Sequence, residues 1–228
     1  MKKVPFAKYI SCNTLIRSIA ALSILSMTCM AAAAQLTLDS FPTGPNGQNY
    51  VQPLPTAQSS ATNTEALPAG SPLGAGRWTK FIVGPDPYAQ ANTLEVGNGI
   101  LIVETGFQAN TAVEIFYGVN LLGTNVPMGL NLGAYSALQL NFAGLASAEG
   151  LDVIVEVWPK SGGYYVDEVV LHPTVDPFPV VLPYSSFNGS AGGTLTQTEA
   201  SDINYIIIEL EGAGSTESYG ITSFQAVN

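Results

Sequence analysis

Apolar and polar residues alternate along most of the chain from residue 77 onward, and clusters of turn-forming residues separate the alternating stretches. Every second residue within 151–158 is Leu or Val, and every second residue within 206–210 is Ile or Leu. A period of two is typical of β-strands that bury one face. The pattern predicts a strand-like start at 36–41 and ten further strands, at about 77–83, 93–97, 100–105, 111–118, 135–143, 150–158, 164–171, 178–183, 203–210 and 219–227.

Two hairpins are predicted from the residues between strands. Asn98-Gly99 lies between two apolar stretches, and this dipeptide readily adopts the positive φ angles of a tight two-residue turn. A Gly-containing turn joins the strand at 150–158 to the strand at 164–171. Neighbouring strands should therefore be antiparallel.

The segment at about 42–76 is rich in Pro, Gly and Ser, and proline is excluded from central strands. We expect it to be irregular, with one short edge strand around Tyr50. The remaining chain has strand patterning and no run of helical periodicity. The prediction is an all-β fold, an antiparallel β-sandwich of the jelly-roll type with about ten strands.

The first 34 residues have the order of a secretory signal peptide. Basic residues come first, an apolar stretch spans 19–30, and Ala32-x-Ala34 precedes Gln35. We therefore expect cleavage near Ala34, secretion into the periplasm or the extracellular space, and a single domain over 35–228. Both cysteines, Cys12 and Cys29, fall within the signal, so the mature domain has no thiol for a disulfide or a metal site.

The predicted mature chain is strongly acidic. It keeps three cations, Arg77, Lys80 and Lys160, against 17 carboxylates, which gives a formal charge of −14. Nucleic acid and anionic membranes favour Lys and Arg, so neither is an expected partner. The acidity serves solubility outside the cell or, alternatively, cation binding. The mature chain has no apolar stretch of the roughly 20 residues that a transmembrane helix needs.

Several short motifs follow one another along the chain. They are Leu38-Asp39-Ser40-Phe41-Pro42-Thr43-Gly44, Gly74-Ala75-Gly76-Arg77, Asn131-Leu132-Gly133-Ala134-Tyr135-Ser136-Ala137-Leu138, Ser201-Asp202-Ile203-Asn204-Tyr205-Ile206 and Tyr219-Gly220-Ile221-Thr222-Ser223-Phe224. Their order resembles that of a group of uncharacterised secreted bacterial β proteins. More widely it is similar to galactose-binding-like jelly rolls, the fold of many carbohydrate-binding modules. The resemblance covers most of the mature chain and implies a jelly-roll fold.

Many such jelly rolls hold a structural calcium between the first and last strands. The resemblance implies Asp39 as the first-strand ligand of a calcium ion, the one cofactor that we consider. In the last strand, where those families tend to have Asp, this chain has Thr222-Ser223. The alternative is that Asp39 caps or solvates the end of its strand.

Few residues suit catalysis. His172 is the only histidine, and it precedes a proline at a strand end, where a surface role is more common than a catalytic one. Hydrolysis of polysaccharides by two carboxylates is the more serious enzymatic alternative, because paired carboxylates on strands can act as acid and base. The acidic residues on predicted strands are Glu104, Glu114, Glu156, Asp167, Glu168 and Glu209. We expect no catalytic residue among them.

Aromatic rings beside carboxylates suit sugar binding, because the rings cover apolar sugar faces while the carboxylates bond to hydroxyls. The hairpin at 150–171 offers this combination. If Trp158 pairs with Tyr164, Glu156 and Glu168 share their face, whereas a one-residue shift brings Tyr165 and Asp167 there instead. Cross-strand packing that only holds the hairpin is the structural alternative.

For two residues outside this hairpin we expect structural roles. Trp78 should be buried over one edge of the sandwich, and Arg77 should form an ion pair with a carboxylate.

The sequence favours a secreted, non-enzymatic binding module for a glycan or another cell-surface component. The candidate ligand-binding residues are Trp158, Tyr164, Tyr165, Glu156 and Glu168. A structural or matrix protein that self-associates through sheet edges is the alternative, and a polysaccharide-active enzyme is the third hypothesis.

Overall fold

The computed structural model describes residues 34–42, 50–54, 59–147, 149–212 and 216–228. Within them the chain forms fourteen β-strands, one 3₁₀ helix at Tyr184–Ser186 and one short α-helix. The elements are β1 (Gln35–Asp39), β2 (Tyr50–Leu54), β3 (Ser59–Ala66), β4 (Gly76–Val83), β5 (Asn92–Gly97), β6 (Ile100–Glu104), β7 (Thr111–Val119), β8 (Ala137–Ser147), β9 (Leu151–Pro159), β10 (Tyr165–Leu171), β11 (Phe178–Pro183), β12 (Asn188–Gly189), α1 (Gln197–Ala200), β13 (Ile203–Gly212) and β14 (Glu217–Val227).

The strands form two antiparallel sheets. The first sheet has the order β11-β8-β14-β6-β5-β2, and β1 pairs with the C-terminal part of β14. The second sheet has the order β12-β10-β9-β13-β7-β4-β3. One hydrophobic core joins the inward faces of the two sheets. The predicted antiparallel sandwich of the jelly-roll type is confirmed.

Side-chain alternation decides which residues enter this core. Leu138, Leu140 and Phe142 from β8 are buried, as are the residues at every second position of β9 and β13. Burial of one face removes that apolar area from water, at roughly 25 cal/mol per Å². The intervening residues of β9 and β13 therefore lie on the opposite, outer face of the second sheet.

Both predicted hairpins are present. β5 and β6 pair through Gly97 and Ile100, and Asn98 and Gly99 have φ angles of 54° and 83°. β9 and β10 pair with Val157 opposite Tyr165, and this register places Trp158 opposite Tyr164. The first of the two alternative registers is therefore the one observed.

The segment at about 42–76 is less irregular than predicted. The short strand expected around Tyr50 is confirmed as β2, which forms one edge of the first sheet. The prediction was wrong for β3, which pairs with β4 from Ser59 to Ala66 at the edge of the second sheet. This stretch has no proline and contains two threonines, which suit a strand. Most of its residues are polar, however, so it lacks the alternation of apolar and polar residues that indicated the other strands.

Two small elements near the start of β10 were also missed. β12 pairs with β10 through two residues, and α1 is a single helical turn. The helix has a capping box, in which Thr196 accepts a hydrogen bond from the Glu199 amide and the Glu199 side chain accepts one from the Thr196 amide. One turn is too short to produce helical periodicity in the sequence.

Residues 1–33 of the predicted signal peptide lie outside the described residues. Among the described residues, no helix has the length and apolar character needed to cross a bilayer.

A buried group of charged residues links the two sheets. Asp39, in β1 of the first sheet, accepts a hydrogen bond from Arg77 Nη1 at 2.6 Å and another from the Tyr117 hydroxyl at 2.9 Å. Arg77, in β4 of the second sheet, also donates to Glu65 of β3 at 2.5 Å. The guanidinium lies over the ring of Phe41, 5.2 Å from its centroid. The expected ion pair of Arg77 with a carboxylate is confirmed.

The protonation states in this group support one another. Burial alone would lower the pKa of Arg77, but the neighbouring Asp39 and Glu65 carboxylates raise it above its ordinary value. Burial and the Asp39 charge raise the pKa of Tyr117 well above 10, so the phenol stays protonated and donates to the carboxylate. The cluster therefore supplies each buried charge with an opposite charge and hydrogen bonds, as burial requires.

We expect Arg77→Met to lower the free energy of unfolding by about 3–5 kcal/mol, because it leaves two carboxylates without their cation inside the protein. Lys160→Met is the control, since the Lys160–Asp202 pair is exposed and solvent already screens it. Urea denaturation followed by tryptophan fluorescence measures both. Equal and small losses of unfolding free energy in the two variants would contradict a stabilising role for the buried cluster.

Candidate functional site

Aromatic side chains cross the outer face of the second sheet. Tyr164 precedes β10 and stacks on Trp158 of β9, with ring centroids 4.9 Å apart and an interplanar angle of 27°. Trp158 is directly opposite Tyr205 of β13. The Trp158 indole Nε1 donates to Glu156 Oε2 at 3.0 Å, which holds the indole plane in one orientation. β9, β13 and the residue just before β10 thus place three rings side by side.

Two further rings continue this row toward the opposite edge of the sheet. Phe116 of β7 lies 5.8 Å from Tyr205, centroid to centroid. Trp78 of β4 is directly opposite Phe116. We call Tyr164, Trp158, Tyr205, Phe116 and Trp78 the aromatic row. It crosses five strands, a length of about 19 Å at the usual strand spacing of about 4.8 Å.

A β-bulge makes room for the middle of the aromatic row. The register between β4 and β7 shifts between Gly76 and Arg77, so Gly118 is the extra residue of β7, with φ = 98°. A Cβ atom at Gly118 would lie only 2.6 Å from Cδ1 of Tyr205. Glycine therefore allows the Tyr205 ring to lie against the strand, and the bulge increases the local twist.

Carboxylates lie beside the aromatic row on the same face. Glu114 and Glu209 are directly opposite each other on β7 and β13. Lys80 donates to Glu114 at 2.8 Å. Burial, and then the charges of Glu114, Glu156 and Glu211, raise the pKa of Glu209 above its ordinary value, while Lys80 opposes this shift. Negative charge therefore predominates on this part of the sheet.

The structure brings together most of the ligand-binding residues predicted from the sequence. Trp158, Tyr164 and Glu156 are neighbours, and Glu168 lies farther along the same face, opposite Ile154. Tyr165 is not among them. Alternation points Tyr165 to the other face of the sheet, where it packs against the core and its hydroxyl donates to Glu199.

The other acidic candidates are divided between the two sheets. Glu114 and Glu209 lie on the outer face, near the aromatic row, whereas Asp167 faces the other way and accepts a hydrogen bond from Ser186. Glu104 is an exposed residue at the end of β6 in the first sheet, and His172 is exposed after β10.

Both carboxylate oxygens of Asp39 accept hydrogen bonds from protein groups. Oδ1 accepts from the Phe41 amide at 2.8 Å, and Oδ2 accepts from Arg77 and Tyr117. Calcium binding by Asp39 stays a prediction. A calcium ion would have to share these oxygens with the buried cation of Arg77.

Sequence reasoning missed three members of the aromatic row. Trp78 was expected to be buried over an edge, but it is half-buried on the outer face, one strand in from the edge strand β3. Phe116 and Tyr205 were not considered as ligand-binding residues. Alternation along their strands does place both on the outer face, but their proximity depends on the strand order, which the sequence does not reveal.

No protein-family model and no curated protein matches the chain. A family 11 carbohydrate-binding module from Clostridium thermocellum, solved with a β-1,3-1,4-mixed-linked tetrasaccharide, is 9% identical, with a TM-score of 0.40 over 87% of this chain and 98% of that chain. An agarase is 10% identical, with a TM-score of 0.43 over 85% of this chain and 24% of that chain. A family 29 carbohydrate-binding module is 11% identical, with a TM-score of 0.33 over 79% and 92% of the two chains. Similarity this low carries no argument about function.

We expect Gly118→Ala to destabilise the protein by about 1–3 kcal/mol more than Gly162→Ala, because overpacking adds to backbone strain. Gly162 is a matched control, since its φ is 97° and a Cβ there would meet nothing within 4 Å. At Gly118 the same atom would meet the Tyr205 ring and lie 2.7 Å from the carbonyl oxygen of Asn204. Chemical denaturation of both variants gives the difference. Equal losses of unfolding free energy in the two variants would show that the position of the Tyr205 ring does not depend on this glycine.

Proposed function

We propose that this protein is a secreted, non-catalytic module that binds a neutral, linear polysaccharide along the aromatic row. The observation that carries the proposal is the placement of five aromatic residues on one face, four of them from the successive strands β9, β13, β7 and β4 and Tyr164 from the position just before β10. A hairpin needs only one cross-strand aromatic pair for its stability, so packing of β9 on β10 does not account for the whole row.

The chemistry of the aromatic row suits sugar rings. The C–H faces of a pyranose are apolar, and an aromatic ring offers a flat apolar surface against which they can be buried. The row is about 19 Å long at ordinary strand spacing, so an extended chain of several sugars could contact it in register. Nearby Glu156 can accept hydrogen bonds from sugar hydroxyls through the oxygen that does not bond to Trp158.

Charge favours a neutral ligand over an anionic one. Two basic residues of the described chain lie near the aromatic row, Lys80 on β4 and Lys160 in the turn between Trp158 and Tyr164, and each already pairs with a carboxylate, that of Glu114 and of Asp202 respectively. Glu156, Glu209 and Glu211 lie on the same face without such a partner among the described residues. Like charges brought together at an interface oppose binding, so uronate or sulfate polymers are disfavoured.

The outer face of the first sheet is a less suitable site, because its amides already hydrogen bond to one another. Gln139 donates to Asn141 at 2.8 Å, Asn141 donates to Ser223 at 2.9 Å, and Gln225 donates to Ser223 at 3.1 Å. A sugar hydroxyl would have to replace these bonds, and the net gain from such an exchange is small.

Affinity electrophoresis on a panel of polysaccharides tests the proposal. We expect retardation by at least one neutral polymer with a linear backbone among hydroxyethylcellulose, pullulan and amylose, and none by alginate or polygalacturonate. Trp158→Ala should weaken binding at least tenfold, because truncation of a tryptophan that anchors a ligand costs about 2 kcal/mol or more.

Tyr88→Ala is the control for this variant. Tyr88 is also exposed and also contacts another ring, Phe107, at 5.3 Å, but it lies in the loop between β4 and β5, away from the aromatic row. Its loss should leave affinity unchanged. Equal binding by the native protein and Trp158→Ala would remove the row from the function, and concentration-dependent growth in size without sugar affinity would favour self-association.

A further inference from the structure

A structured loop follows β7 at the Trp78 end of the aromatic row. The Asn120 side chain holds it from within, because Oδ1 accepts hydrogen bonds from the amides of Leu122 and Thr124 at 2.9 and 3.0 Å. The Asn120 backbone contributes two more bonds, since its amide donates to Thr124 and its carbonyl accepts from Gly123, both at 2.9 Å. We call residues 120–126 the end loop.

Further bonds attach the end loop to β7. The Val126 amide donates to the carbonyl of Gly118 at 2.7 Å, and Asn125 forms an antiparallel bridge with Val119. The end loop therefore extends the sheet and has a defined position relative to the aromatic row.

The end loop lies over the edge of the sheet beyond Trp78. Thr64 of β3 is directly opposite Trp78, and β3 is the last strand of this sheet. A Cβ atom built on Gly123 would lie 3.8 Å from Oγ1 of Thr64 and 3.9 Å from Cδ1 of Trp78. The loop thus occupies the path by which a ligand on the row would leave over β3.

A cavity lies between this loop and the last two rings. Its volume is about 260 Å³, and Trp78, Phe116, Val119, Gly123 and Asn125 line it. Sites for drug-sized ligands span roughly 300–1,000 Å³, so this cavity suits a single sugar ring. Two aromatic rings offer apolar surface, and the amide of Asn125 can both donate and accept hydrogen bonds.

The opposite end of the aromatic row is more exposed. Tyr164 is 37% exposed, the largest exposure of a ring in the row. Among the described residues the sheet continues beyond β10 as β12, a strand of two residues, and the next residue, Ser190, accepts a hydrogen bond from the Tyr164 amide and donates one to the Tyr164 carbonyl. A chain that starts in the cavity can therefore run along the row and leave past Tyr164.

We infer that the cavity beneath the end loop receives the terminal sugar of the polysaccharide, so that the protein binds chain ends rather than chain interiors. This inference rests on the proposed function. It adds the direction in which the bound polysaccharide runs along the row and the place where its end lies. An interior-binding protein can occupy many positions on one long chain. An end-binding protein occupies one position at the recognised end, whatever the length of the chain.

Isothermal titration calorimetry with fractions of defined chain length tests this difference. The probe is the neutral polysaccharide that binds most tightly in the electrophoresis panel, cut by partial acid hydrolysis and separated by size. We expect a constant ratio of one protein per chain from short oligosaccharides to long fractions. A ratio that rises with chain length would overturn end binding while leaving the proposed function intact.

Asn125→Ala tests the role of the cavity. We expect threefold to tenfold weaker binding, about the value of one hydrogen bond, with the stoichiometry unchanged. Asn110→Ala is the control, since Asn110 is exposed in the loop between β6 and β7, away from the aromatic row, and should leave affinity unaltered. Unchanged affinity in Asn125→Ala would overturn the placement of the terminal sugar in this cavity. Absence of binding both to every neutral polymer and to the short fractions cut from it would overturn the proposed function itself.

Discussion

The ion pair between Asp39 and Arg77 connects the two sheets of the sandwich through the interior. A guanidinium can be buried only where carboxylates and hydrogen bonds compensate its charge, so Arg77 must point inward, toward Asp39. Because side chains alternate along a strand, the next residue, Trp78, must point outward. The same reasoning applies to Tyr117, whose hydroxyl reaches Asp39, and to its neighbour Phe116. The buried cluster thereby orients two rings of the aromatic row.

The middle of the aromatic row depends on a different local feature. The bulge at Gly118 breaks the regular pairing of β7 with β4, and the missing side chain leaves space for the ring of Tyr205. The order β10-β9-β13-β7-β4 then brings together rings that are distant in the sequence. The aromatic row therefore depends on the buried cluster behind it, on the bulge at Gly118 and on the order of the strands.

Features of this fold that depend on neighbours in the chain could be predicted from the sequence. Features that depend on the order of the strands could not. Alternation located the core residues of β8, β9 and β13, and Asn98-Gly99 located a hairpin, because each depends on neighbours in the chain. The β3 strand lacked apolar alternation and was missed. Trp158 with Tyr164 could be predicted as a pair within one hairpin, whereas Tyr205 and Phe116 join them only through the strand order.

The two tryptophans of the chain, Trp78 and Trp158, lie in the aromatic row on different strands, and they allow the most direct test of it. Each gives one indole N–H signal in a ¹H–¹⁵N NMR spectrum, which can be assigned with Trp78→Phe and Trp158→Phe. A neutral hexasaccharide prepared from the polymer that binds best is then titrated into the native protein. If one glycan lies along the row, both indole signals shift with the same apparent Kd. A shift of neither signal, or of one signal alone, would contradict binding along the row.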